Sequence, residues 1–324
     1  MGTVSVGDVI TAAQYNDLQT RIQKVLGNGA GDYGYGQSIA AISVPVAKTI
    51  EASDMNELYA DIVDAKAHQD GSVPTTISQI TATNIIGADA STTPNETIKG
   101  HNDYNTVVGQ AETNRLLAAS GQMSIESKIS SVRSSNWGNN PDVIQHTVSV
   151  AFPGGQVTKT TGGANHTASG ADHMRYFFNA GGEIRFSASF AGGSGAKYND
   201  WNSMVTNMGT IKFGRTATTA TGTGTTSTVG YLDLTTSYQQ IFRKTGSGVY
   251  AENDYIVEAR LVGTDTIQFR ISFRDDDSGD QTGLGPAVDE NVGSTLTSTV
   301  SQYRATGSYV SVPTPTYTNN TTLQ

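Results

Sequence analysis

Cysteine is absent from all 324 residues, which removes disulfides, thiolate metal ligands and cysteine nucleophiles together. Charge is scarce as well, at 15% of residues, where about 25% is usual. Lys and Arg form no run, so the basic footprint that neutralises phosphates is missing and no nucleic-acid partner is expected. Long apolar stretches are lacking too. Nothing approaches the roughly 18 residues of a membrane span, so no membrane insertion is expected. The N-terminal MGTVSVGDVI has neither the basic nor the apolar region of a signal peptide, which excludes ordinary signal-sequence export as an expectation. What is abundant instead is Gly, Ser, Thr and Asn. That mix disfavours a metabolic enzyme with a charged helical surface. It favours short strands, tight turns and uncharged surfaces that face solvent or a neighbouring chain.

The first 71 residues contain an internal repeat offset by forty positions: Ile10-Thr-Ala-Ala-Gln-Tyr-Asn-Asp-Leu18 aligns with Ile50-Glu-Ala-Ser-Asp-Met-Asn-Glu-Leu58. Asn16 thereby matches Asn56, and Ile22 matches Ile62. Tyr104-Asn105-Thr106-Val107 is a short, decayed match to the same pattern. Both full copies read as helices. Thr11 and Gln14 have the spacing of a capping box. Leu18, Ile22 and Val25 form one apolar stripe, and Leu58, Ile62 and Ala65 form another. Gly27-Asn28-Gly29 and Gly71 supply the stops. Such short helices need their stripes buried, either on the sister helix or on the same helix of another subunit. The Gly/Tyr segment Gly29–Gln37 reads first as a connector, with an interlocking arm as the functional alternative.

Residues 72–100, rich in Thr, Ser, Asn and Pro, read as an extended linker. From Asp103 to Arg133 the pattern is partly helical, with Ile125, Ile129 and Val132 on one stripe and Gly121 as an interruption. Beyond Trp137 and Gly138-Asn139-Asn140-Pro141 the period changes to two. Ile144–Phe152, Glu183–Phe190, Asp254–Val262 and Thr266–Phe273 each alternate apolar and polar residues, the signature of half-buried antiparallel strands. Asn179-Ala180-Gly181-Gly182 reads as a hairpin turn inside Arg175–Phe190, RYFFNAGGEIRFSASF, and Gly263-Thr264-Asp265 as another. One helix interrupts, with Trp201, Met204, Val205 and Met208 on a face, a cap at Asn199 or Asp200, and a stop at Gly209.

Chemistry-bearing motifs are sparse. The five histidines, His68, His101, His146, His166 and His173, show no metal-binding spacing. His146 alternates with apolar neighbours and reads as a partly buried strand residue. The Gly-Thr-Gly-Thr-Thr-Ser stretch at 222–227 lacks the Lys of a phosphate loop and reads as a mobile hairpin tip. No G-x-S-x-G elbow exists for serine chemistry. The acidic run Asp275-Asp276-Asp277-Ser278-Gly279-Asp280 reads first as a solvated hairpin tip, with a hard cation such as Ca²⁺ as the alternative. Its spacing does not fit an EF-hand. Nothing fixes the separation of carboxylates there or at Asp289-Glu290, so a glycosidase has no anchor. No catalytic, cofactor-binding or metal-ligating residue is assigned, and no cofactor is expected.

Several anchors in fixed order carry a family resemblance over most of residues 135–317. They are Arg175–Phe190, Trp201 in NDWNSMV, Gly209–Phe213, Tyr231–Tyr238, Asp289–Val292, Gly293–Ser298 and Arg304–Val312. Together they resemble virion structural or tail (fibre-like) proteins of tailed phages, closest to those of marine and cyanobacterial T4-like phages. The N-terminal repeat also looks like helices of phage tail and fibre proteins. The resemblance implies assembly and surface contact, and it carries no catalytic residues. The expected fold is mainly β with a helical N-terminal part, α+β overall: an attachment region over 1–71, a linker with a further helical segment over 72–141, an antiparallel β-sandwich over 142–317 and a tail over 318–324. The expected role is that of a non-enzymatic bacteriophage tail, baseplate or neck appendage, assembled in the host cytoplasm and resident in the virion. It docks by its N-terminal helices, forms a homo-oligomer (a homotrimer first) and contacts other tail, baseplate or neck proteins. The alternative is a receptor-binding fibre tip that recognises a host cell-surface glycan through exposed Tyr and Trp.

Overall fold

A computed structural model describes residues 5, 10–29, 31–81, 84–89, 98–138, 142–157, 166–277, 279 and 290–323. Its helices are α1 (Ala12–Leu26), α2 (Ala52–Asp70), α3 (His101–Thr113), α4 (Gly170–Asn179) and α5 (Ala196–Met208). The strands begin with β1 (Ile85–Gly87), β2 (Ile98–Gly100), β3 (Met123–Arg133), β4 (Asp142–Ala151), β5 (Gly155–Val157), β6 (His166–Ala168), β7 (Glu183–Ala191) and β8 (Ile211–Phe213). They continue with β9 (Thr218–Ala220), β10 (Thr225–Thr226), β11 (Gln239–Thr245), β12 (Asp254–Val262), β13 (Thr266–Asp275), β14 (Thr295–Ala305) and β15 (Thr316–Asn319). The chain is α+β, with helices towards the N-terminus and sheets that are mostly antiparallel.

These elements form two units, each discontinuous in sequence. Unit 1 gathers Met1–Ser124, Gly154–Gly181 and Arg304–Pro313; unit 2 gathers Ile125–Pro153, Gly182–Tyr303 and Thr314–Gln324. The stretch read as one β domain is therefore shared, because α4 and residues 304–313 group with the N-terminal helices.

In unit 1, α1, α2 and α3 pack on one another. The capping box at α1 is present: the Gln14 amide donates to Thr11 Oγ1 at 3.3 Å, and the Thr11 amide donates to Gln14 Oε1 at 2.7 Å. Leu18, Ile22, Val25, Leu58, Ile62 and Ala65 are each at most 1% exposed. Both stripes are thus covered within a single chain, and their burial creates no demand for a second subunit. The repeat's asparagines have a role that periodicity could not show. Asn16 Nδ2 donates to the Val44 carbonyl at 2.9 Å while its Oδ1 accepts the Val44 amide at 2.8 Å. Asn56 does the same to Ile80, at 2.9 and 2.7 Å. Each helix pins the extended strap that follows it. Asn105, in the decayed copy, instead accepts from Arg21 at 2.6 Å. Asn56→Ala strands one half-buried amide and one carbonyl, so a loss of about 2 kcal/mol is expected. Hydrogen exchange at the Ile80 amide checks this; unchanged protection would show that the clamp carries nothing.

The hairpin expected across Arg175–Phe190 is absent. Arg175–Asn179 is the second half of α4, and Gly181, at φ 81°, opens the turn into β7. The helix starts at a capping box, where the Asp172 amide donates to Ser169 Oγ at 3.1 Å and the Ser169 amide donates back to Asp172 Oδ2 at 3.0 Å. Its polar side holds the Gly/Tyr segment. Arg175 donates to the carbonyls of Gly31 and Asn28, both at 2.9 Å, and Asn179 donates to those of Asp32 and Gly34 at 2.9 and 3.0 Å. Gly36, at φ 73°, lies under the Tyr176 ring, where a Cβ would sit 2.1 Å from the nearest ring carbon. The described part of this segment is a pinned connector, and Gly36 is the residue that admits the ring.

Unit 2 contains, among the described residues, a six-stranded sheet in the order β10-β11-β12-β13-β4-β15 and a five-stranded sheet in the order β3-β14-β7-β8-β9. The expected turn at Gly263–Asp265 is present, with Val262 paired to Thr266 across β12 and β13. β13 continues onto β4, with Phe269 opposite Val148 and Ile271 opposite His146. Phe269 meets Phe186 and Phe213 of the other sheet, with ring centroids 4.9 and 5.3 Å apart. Two expectations fail here. The stripe Ile125, Ile129, Val132 lies on a strand, β3, which forms the edge of its sheet with Ile125 64% and Val132 54% exposed. α5 begins at Ala196 with Gly195 as its cap, four residues before Asn199 and five before Asp200, the two expected caps.

Candidate functional site

Unit 1 carries an apolar concavity. A groove of about 930 Å³ opens where the N-terminal ends of α1 and α2 meet. Ile10 and Ile50, the matched first residues of the repeat, line it with Ala13, Val46, Ile80 and Ile86. Each Ile directly precedes a helix cap, at Thr11 and Glu51. The strap pinned by Asn56 brings Ile80 to the same wall. At the rim a turn runs from Pro45 to Lys48, whose amide donates back to the Pro45 carbonyl at 3.1 Å. That turn holds Val46 91% exposed and Ala47 at φ 70°. A non-glycine residue there costs about 1 kcal/mol of backbone strain. Lys48, held by Asp54 at 2.9 Å, joins Thr11, Thr49, Thr81 and Asn84 as the polar part of the lining.

The acidic run is not a solvated tip over its described part. Asp275 is fully buried and Asp277 is 6% exposed. The cation that relieves them comes from the chain: Lys197 Nζ lies 2.9 Å from Asp275 Oδ2 and 3.2 Å from Asp277 Oδ2, with no side-chain exposure of its own. It also donates to the Gly138 carbonyl at 3.0 Å. Asn253 Oδ1 accepts the amides of Asp276 and Asp277 at 3.0 and 3.1 Å and so sets the path of the loop. Gly138 sits at φ 92°, where a Cβ would come 3.0 Å from Asp275 Oδ2, so only glycine fits. Ser278 and Asp280 lie outside the described residues, as does Asp289. Glu290 accepts from the Lys197 amide at 3.2 Å. Below the pair lies an aromatic cluster: Trp137 stands 4.9 Å from Trp201 and 6.5 Å from Phe273, and Phe273 stands 5.0 Å from Tyr255. Sequence reasoning found the acids but missed Lys197, whose partner is 78 residues away.

Among the described residues no three His, Asp or Glu side chains converge as metal ligands. His146 is wholly buried rather than partly so; its Nε2 lies 2.9 Å from Ser298 Oγ, and burial holds its pKa below the ordinary value. The 222–227 stretch meets the C-terminal end of α5, with the Thr223 amide donating to the Asn207 carbonyl at 2.8 Å. A helix C-terminus repels phosphate. Both tryptophans are core residues, at 2% and 0% exposure, and every tyrosine is buried or half-buried. Comparison with protein-family models, with curated proteins and with solved structures finds no match.

Proposed function

We propose that this chain is a non-enzymatic virion structural protein, a tail, baseplate or neck appendage that attaches through unit 1 and displays unit 2. The observation that carries the reading is the open apolar groove between the matched N-terminal ends of the repeat helices. A concavity of this size, lined by Ile10, Ile50, Ile80 and Ile86, is suited to an apolar segment of a neighbouring protein. The resemblance of residues 135–317 to phage tail proteins supplies the setting. On this reading the two facing sheets of unit 2 are a β-sandwich, and self-association as a homotrimer places several copies on one particle. The test is quantitative mass spectrometry of purified particles against the cleared lysate. A fixed copy number per particle is expected. Protein found free in the lysate and absent from particles would end the proposal. Ile50→Asp, on the groove wall, is expected to lower the copy number per particle.

A further inference from the structure

Lys197, Asp275 and Asp277 form an arrangement that an ion pair alone does not require. Lysine is rarely buried completely, because removing an ammonium from water costs several kcal/mol even when it is paired. Here both Lys197 and Asp275 have no side-chain exposure, and a second carboxylate stands 3.2 Å from the same nitrogen. Lys197 is four residues before Trp201 on α5, and Asp275 is two residues after Phe273 on β13. Lys197 therefore shares a face of α5 with Trp201, and Asp275 a face of β13 with Phe273, and the Trp137 ring stands 4.9 and 6.5 Å from those two rings. The nitrogen is 2.9 Å from Asp275 Oδ2, which puts the carboxyl carbon one bond further on, at the range from which positioned groups react.

We propose that Lys197 and Asp275 condense into an intramolecular amide, with Asp277 passing the proton. In a dry interior the transfer of one proton from the ammonium to Asp275 exchanges two buried charges for a neutral amine and a neutral acid. The amine nitrogen attacks Asp275 Cγ and forms the C–N bond. Asp277 takes the proton that the nitrogen sheds and hands it to the Asp275 hydroxyl. The C–O bond breaks and one water leaves. An ammonium and a carboxylate become an amide and water, Asp277 ends as it began, and nothing is oxidised or reduced. Asp277 is the less buried acid, at 8% side-chain exposure, and gives the departing water its way out. One N–H remains on the nitrogen, and the Gly138 carbonyl, now 3.0 Å away, is placed to keep it. The product ties the start of α5 to the end of β13 and closes a covalent loop across unit 2.

Intact mass of the full-length protein, denatured in acid so that no ion pair survives, decides the matter. The expected mass is the sequence mass less one water, and digestion should yield a branched peptide joining Lys197 to Asp275. Asp277→Asn should fold, as judged by circular dichroism, and retain the full mass. Asp275→Asn should lose one ammonia in place of one water, because the leaving group changes with the side chain. A wild-type protein that keeps its full sequence mass after days at neutral pH overturns the proposal, whatever the variants do. A branch at Asp277 overturns the assignment of roles.

Discussion

Phe269→Ala is expected to lower the unfolding free energy of unit 2 by about 3–5 kcal/mol, the range for emptying a packed aromatic site. Phe269 has no exposed surface, and its ring touches Phe186 and Phe213 of the facing sheet while its backbone sits between Ala259 and Val148 in its own. Few neighbours can move into the space, since all four belong to paired strands. The loss is a large fraction of a typical domain's stability. Both tryptophans lie in unit 2, so their fluorescence during urea unfolding follows this unit specifically. Phe269→Leu should cost less than half as much, because most of the volume is kept. Ile125→Ala on the exposed edge strand should stay within about 0.5 kcal/mol. Equal losses at Phe269 and Ile125 would mean that the two sheets do not share a core.

The second large effect is a dependence on pH in unit 1. His68 is completely buried on α2, edge-on to Tyr35 at 5.2 Å, and burial lowers its pKa to about 4 from 6.5. The unfolded chain binds a proton below about 6.5 that the folded chain refuses until about 4. Stability is therefore full above the unfolded value and falls as the pH drops through that window, by about 3 kcal/mol in all. About 2 kcal/mol of this is expected between pH 7 and pH 5. His101 is shifted downwards in the same unit by the same cause, burial, and adds in the same direction. Hydrogen exchange of the α2 amides, measured at both pH values, reads the effect within unit 1. His68→Leu should flatten the profile; a variant with the wild-type slope would remove His68 as its source.

Strands were legible where their two faces differ sharply. β12 and β13 alternate Tyr, Val, Ala, Leu and Ile, Phe, Ile, Phe against polar partners, and the turn between them is marked by Gly263. β14 has the same alternation, yet its buried face reads Leu296, Ser298, Val300, Gln302, half of it polar, and the period is lost. β3 failed for the opposite reason. Its Ile125, Ile129 and Val132 fall by chance at helical spacing, and an edge strand leaves them partly exposed without penalty to the pattern. α4 misled through composition, because Tyr176, Phe177 and Phe178 favour strands locally. The Ser169 to Asp172 cap and the Met174, Phe177, Phe178 spacing were the signals for a helix. The groove was half-legible: the repeat marked Ile10, Ile50, Asn16 and Asn56, but only folding shows that the asparagines hold straps. Lys197 left no trace in the sequence, since a buried lysine is defined by partners that are distant along the chain.

The interleaving of the two units has a consequence for synthesis. As a chain emerges from the ribosome, domains usually fold in order, the first before the second. Here the N-terminal helices cannot finish that way. The connector after α1 waits for Arg175 and Asn179, and unit 1 is not complete until residues 304–313 have appeared. Nearly the whole protein must be made before its first helices are locked. Until then the Phe177-Phe178 pair, buried in the finished fold, is open to other nascent chains. A protein built this way assembles late and as a whole, and fragments cut at the apparent boundary near residue 141 should aggregate rather than fold.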